Sequence, residues 1–240
     1  MMTDRNAAPV NPLPPVVWAL ALPMIALEVI FSMADAGLIG GAQAIGWRIA
    51  AIENFGLFPE YWRQRSAVGA YDVELLRRFV TYPFIYISAT QALFAVVILL
   101  AMGKFVGEVF KWWAVLAVFF SASVVGGLVY VTFADRQPLF GAYPGVYGLI
   151  GAFSFLLWVR LAGTGTNQFR AFSLIGALLA FQLIFGAVFS VGALWFPSLK
   201  GYGFGWTWIA ELPGFVVGFF LSFVVSPGGF GRVMERLRQR

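Results

Sequence analysis

"GAYPGVYGLIGAF", residues 141–153, decides how this chain is read. It opens an apolar stretch with small residues at Gly145, Gly148 and Gly151, a spacing that lets the backbone of a neighbouring helix come close. Tyr143 and Pro144 stand at its mouth, where the run of small residues is interrupted. Pro144 suits the first turn of a helix, because the N–H groups there have no partner within the helix. The stretch predicts a closely packed helix that frames something at its start.

The rest of the chain places that helix in a bilayer. Of 240 residues, 60% are hydrophobic and 11% charged, against roughly 45–50% and about 25% in soluble domains. A bilayer core about 30 Å thick takes about 20 apolar residues in helix. That template fits near 15–39, 79–102, 112–133, 143–161, 171–194 and 206–226, which predicts an all-α polytopic bundle of six transmembrane helices. Six spans put both termini on one side. That side then holds Arg5, Lys104, Lys111, Arg160, Arg170, Arg232, Arg236, Arg238 and Arg240, against Arg136 and Lys200 opposite. The bias predicts cytoplasmic termini. The expected organisation is a cytoplasmic segment 1–14, a membrane domain 15–226 and a basic cytoplasmic tail 227–240. The first span is expected to be retained despite the A-x-A-like "MADAG", because it is longer than a signal-peptide core and contains Glu28.

Several chemistries drop out early. The chain has no cysteine, so thiolate metal sites and disulfides are excluded. It has no histidine, which removes the usual general base, metal ligand and pH switch. No metal or cofactor is expected. The net charge of +5 is spread between and after apolar spans, so nucleic acid is not expected as a partner and membrane lipid is.

The connection from residue 40 to 78 is too long for a linker. Within "IGWRIAAIENFGLFPEYW", Ile45, Ile49, Ile52, Phe55 and Phe58 recur at near-helical spacing, with Trp47, Tyr61 and Trp62 suited to headgroup level. This predicts an amphipathic element in the outer leaflet; the alternative is an ordered loop packed on the bundle.

Acids inside spans are costly and mark candidate sites. Asp35 is expected to be hydrated at the outer end of its span, and Glu28 to face the bundle as polar glue needing a hydrogen bond or a proton. Glu211, in "IAELPGFVVGF", sits beside Pro213 and beside Gly214 and Gly218 at small-xxx-small spacing. Glycines 145, 148 and 151 are expected to pack on that face, bringing Tyr143 and Glu211 to the same end of the bundle. Ser88, Ser121, Ser123 and Ser154 have no visible base and are read as helix–helix hydrogen bonders.

Together these stretches resemble the rhomboid family of intramembrane serine proteases, from the first span to the last. The family carries GxSG at the start of its fourth span, commonly GASGAVYGLLGA, where this chain has GAYPGVYGLIGA. The family serine falls on Tyr143 and its following glycine on Pro144. The family's HxxxxHxxxN appears as Tyr86, Gln91 and Ala95 in "YISATQALFA", and its AHxxGxxxG as "AELPGFVVG", which puts Glu211 at the catalytic histidine. Arg78 matches the arginine of a WR pair found in some relatives, with Arg77 replacing the tryptophan.

The resemblance implies a rhomboid-like six-helix bundle in which the nucleophile, the base and the oxyanion-binding side chains at Tyr86, Gln91 and Ala95 are all replaced. A hydroxyl is a poor nucleophile without an adjacent base, so the expectation is a pseudoprotease. It would bind transmembrane helices of client or partner proteins, admitted between the second and fifth spans, without cleaving them. Alternatives are altered serine-endopeptidase-type hydrolysis at Tyr143 and Glu211, or a structural subunit of a larger complex. The expected location is a bacterial inner membrane.

Overall fold

The computed structural model describes residues 12–134, 137–182, 184 and 207–227. The segment up to residue 11, Arg136, Lys200, the later half of the expected fifth span and the basic tail beyond Pro227 lie outside the described residues.

Nearly all the described chain is helical. α1 spans Pro15–Asp35, and three short helices follow: α2 (Trp47–Phe55), α3 (Pro59–Ala67) and α4 (Val73–Thr81). Then come α5 (Ala89–Gly107), α6 (Trp112–Phe133), α7 (Tyr143–Ala162), helical residues 173–182 as α8, and α9 (Trp208–Val225). Among the described residues five helices, α1, α5, α6, α7 and α9, are long and apolar enough to cross a membrane. α8 falls within the first half of the expected fifth span, whose later residues lie outside the described ones.

Two boundaries differ from expectation for local reasons. α1 stops before residue 39 because Gly37 takes a left-handed φ of 72°, with Gly37 N–H returning to the Ala34 carbonyl at 2.9 Å and Leu38 N–H to the Met33 carbonyl at 2.9 Å. The second span begins at Ala89 instead of 79. α4 ends at Thr81, a single 3-10 turn carries Tyr82–Phe84 through Pro83, and Ser88 Oγ then caps α5 by accepting from Gln91 N–H at 3.3 Å. Tyr86 therefore lies outside the span, in the segment leading to it.

α7 is the centre of the bundle. Pro144 through Ala152 are buried without a break, as expected of a helix enclosed on all sides. α6, α9 and α5 pack around it, and α1 packs on the outside of α5. The α7–α9 contact is backbone on backbone: a Cβ at Gly218 would overlap the Gly148 carbonyl, and one at Gly151 would overlap the Phe215 carbonyl. A Cβ at Gly214 would overlap the Pro144 carbonyl. Gly145 departs from expectation. Its missing Cβ faces Ser123 Oγ and the Phe119 ring of α6, while Gly148 touches both α6 and α9. A spacing of three residues falls short of a full helical turn by about 60°, so the glycine row drifts round α7 from one neighbour to the next.

The first loop is tied to the bundle. Leu57 and Leu139 exchange backbone hydrogen bonds of 3.0 and 2.8 Å. Arg78 is buried and donates to the carbonyls of Glu53 and Gly56 at 2.8 and 2.9 Å, with its guanidinium over the Tyr61 ring. The apolar stripe splits. Ile52 is buried with Phe31 and Ile85, and Phe55 and Phe58 pack against them, whereas Ile45 and Ile49 are exposed. A kink of the chain at Gly56 and Pro59 divides it between two helices, so one continuous lipid-facing stripe does not form.

Candidate functional site

The site is built where the segment before α5 meets the start of α7. Gly141 takes a φ of 89°, and a Cβ there would lie 3.2 Å from the Tyr86 ring, so this turn requires glycine. Its N–H donates to the Tyr82 carbonyl at 2.9 Å, and Tyr82 in turn donates its hydroxyl to the Ser123 carbonyl at 2.8 Å. Both tyrosines are almost fully buried. Burial pushes the Tyr82 and Tyr86 phenols up from their ordinary range, so both stay neutral donors.

Tyr86 and Tyr143 fill the mouth of α7. The Tyr86 hydroxyl accepts from Ala142 N–H at 3.4 Å and donates to Met24 Sδ at 3.4 Å, which joins α1 to the start of α7. The Tyr143 hydroxyl donates to the Gln91 carbonyl at 3.1 Å. Gln91 is half-buried and its side-chain oxygen accepts from Ile87 N–H at 3.3 Å. Ala95, one turn on, is fully buried and offers no polar atom. Of the three positions that match the family's second-span motif, Gln91 meets Tyr143 through its carbonyl and Tyr86 lies against the Gly141 turn beside it, as space-filling and backbone-satisfying groups.

Glu211 lies in the first turn of α9 and is buried. An acid there is favoured by the N-terminal end of the helix dipole, and α9 continues through Pro213. Its Oε2 accepts a hydrogen bond from Gln182 Nε2 of α8, and the same amide donates to the Tyr147 hydroxyl at 3.0 Å. Pro144 of α7 packs on Gly214, one turn beyond Glu211, so Tyr143 and Glu211 do share one end of the bundle. Their hydrogen bonds run apart: the phenol donates to the Gln91 carbonyl and the carboxyl accepts from the Gln182 amide.

Gln182 and Tyr147 escaped the sequence reading, which weighed acids, serines and the motif positions within spans. The available signal was the one amide in a fifth span whose other polar residues are Ser173 and Ser190. Arg48 also escaped it. Two of its nitrogens grip Glu28 at 2.8 Å, Nε donates to Asp35 at 2.8 Å, and Nη1 reaches the Tyr86 carbonyl at 3.0 Å. Ser32 Oγ completes the cluster, donating to Glu28 at 2.8 Å. The Glu28 hydrogen bond, against the cost of burial, holds the Arg48 guanidinium well above its ordinary range, and Asp35 adds to this. The glue role expected of Glu28 has a named partner, and it clamps α1 to α2 and to the Tyr86 segment. Asp35 remains half-exposed.

Among the described residues no group of acids, histidines or cysteines is arranged to hold a metal ion. No curated protein matches the chain. The family model for the Rhomboid domain matches residues 74–228, which is more than half of the chain and takes in α4 to α9 with Tyr86, Gln91, Ala95, Tyr143 and Glu211. The chain belongs to the rhomboid family.

Proposed function

We propose that this rhomboid-family membrane protein binds transmembrane helices of client or partner proteins and does not cleave them. One observation carries the reading. At the position of the family nucleophile stands Tyr143, whose phenolic proton is engaged by the Gln91 carbonyl, and at the position of the family base stands Glu211, engaged by Gln182. Nucleophilic catalysis needs a hydroxyl whose proton passes to an adjacent base. Oxyanion stabilisation needs donors aimed at the reacting carbonyl, and Tyr86 and Ala95 present a hydroxyl turned to Met24 and a methyl group.

The helices that bound the entry implied by the family are consistent with binding. Leu93, Phe94 and Val97 of α5 face outward, as does Ile184 beyond α8, so apolar surface is offered to lipid or to an incoming span. The proposal includes an inner-membrane location with cytoplasmic termini, on the bias of basic residues. It also keeps 15–226 as one membrane domain with the 40–78 loop as part of it and 227–240 as a basic tail.

Photo-crosslinking from Leu93 and Ile184 in native membranes tests the reading. Several substoichiometric single-span proteins are expected. One stoichiometric partner would replace the proposal with a structural subunit, and no captured protein would overturn it.

A further inference from the structure

We infer that the binding site recognises client spans that carry an amide side chain, Asn or Gln, at the depth of Glu211. This rests on the proposed client binding and names what the client must bring.

The observation is an exchangeable contact. Glu211 is buried between helices, and a buried carboxyl requires a hydrogen-bond partner. Its foremost partner is the Gln182 amide, which also donates to the Tyr147 hydroxyl, while Thr207 and Tyr147 make further side-chain contacts with the carboxyl. Gln182 lies in a lightly embedded stretch of the described residues. Over 173–182 only Ile175 is buried, whereas α7 buries every residue from Pro144 to Ala152. Ile184 just beyond is 62% exposed. A polar bond at the edge of a thinly packed helix is one that a second helix can take over at little loss of packing.

Chemistry selects the replacement. The pocket presents a carboxyl oxygen and a phenol oxygen to a single amide nitrogen, so an incoming Asn or Gln reproduces both hydrogen bonds. An all-leucine span leaves Glu211 with Gln182. In lipid, where apolar helices gain nothing by leaving their surroundings, such a side-chain hydrogen bond discriminates between otherwise equivalent spans.

The test uses the full chain in bilayers, a photo-reactive residue at position 184, and two probe peptides: a polyleucine span and the same span with one Asn at the depth of Glu211. Wild type is expected to capture the Asn span about three- to tenfold over the leucine span, the range of one interhelical side-chain hydrogen bond. Gln182→Leu is expected to raise capture of the Asn span, because the intramolecular competitor is gone. Glu211→Leu is expected to abolish the preference, and Glu211→Gln, which keeps the shape, to reduce it. Equal capture of the two spans by wild type and all variants overturns this inference while leaving client binding intact. Capture of neither span overturns both.

Discussion

Arg48→Leu probes the tie between the first loop and the bundle. The guanidinium and the Glu28 carboxyl are 8% and 11% exposed and meet through paired contacts of 2.8 Å. Removing one member of a buried pair strands the other charge, which costs about 3–5 kcal/mol. The Asp35 arm adds about 0–1 kcal/mol, because that carboxyl is 44% exposed and screened. Loss of the donor to the Tyr86 carbonyl adds about 1 kcal/mol more. The variant is therefore expected to lose about 4–7 kcal/mol, with its largest share at Glu28. Detergent-driven unfolding followed by tryptophan fluorescence reads this out, since the chain has nine tryptophans. Adding Glu28→Leu should recover most of the loss, because an apolar pair of similar volume is often neutral against a buried ion pair. Adding Asp35→Ala should recover almost none. If Arg48→Leu unfolds like wild type, or if the Glu28→Leu partner change restores nothing, the clamp is not what holds the loop.

Further changes test other contacts. Gly218→Ala places a methyl group against the Gly148 carbonyl, with backbone on both sides, and should destabilise by about 1–3 kcal/mol in the same unfolding assay. Ser154→Ala removes a fully buried hydroxyl that has no hydrogen-bond partner among the described residues; stability should stay level or rise by about 1 kcal/mol. The double change Tyr143→Ser with Glu211→His restores the family's nucleophile and base by identity, yet should give no efficient protease on single-span substrates, because Ala95 has no polar side-chain atom and the Tyr86 hydroxyl is turned to Met24 Sδ, so oxyanion donors are still lacking there. Efficient turnover by that variant would show that the surroundings of the site are still competent.

The bundle was legible in the sequence because its signals are local and repeated: long apolar runs, and glycines where backbones touch. The site positions were proposed through motif spacing alone; Tyr143 meets the Gln91 carbonyl, and Tyr86 lies against the Gly141 turn that leads to Tyr143. What the sequence hid depends on contacts between distant segments. Arg48 looks like any loop arginine until α2 folds back on α1, and Gln182 looks like an incidental amide until α8 sets it beside Glu211. The start of α5 was misplaced because hydropathy runs smoothly across residues 79–88, while Pro83 and the Ser88 cap act on the backbone instead. The drift of the glycine row from α6 to α9 follows from helical geometry, but only the arrangement of neighbours shows which helix each glycine meets.

The most direct measurement of the central claim is a cleavage assay with the purified protein in bilayers, incubated with a panel of single-span proteins and read by mass spectrometry for fragments ending within the span. Captured but intact spans are expected, with no fragments above background for wild type or for Tyr143→Phe. Fragments produced by wild type and lost in Tyr143→Phe would contradict it.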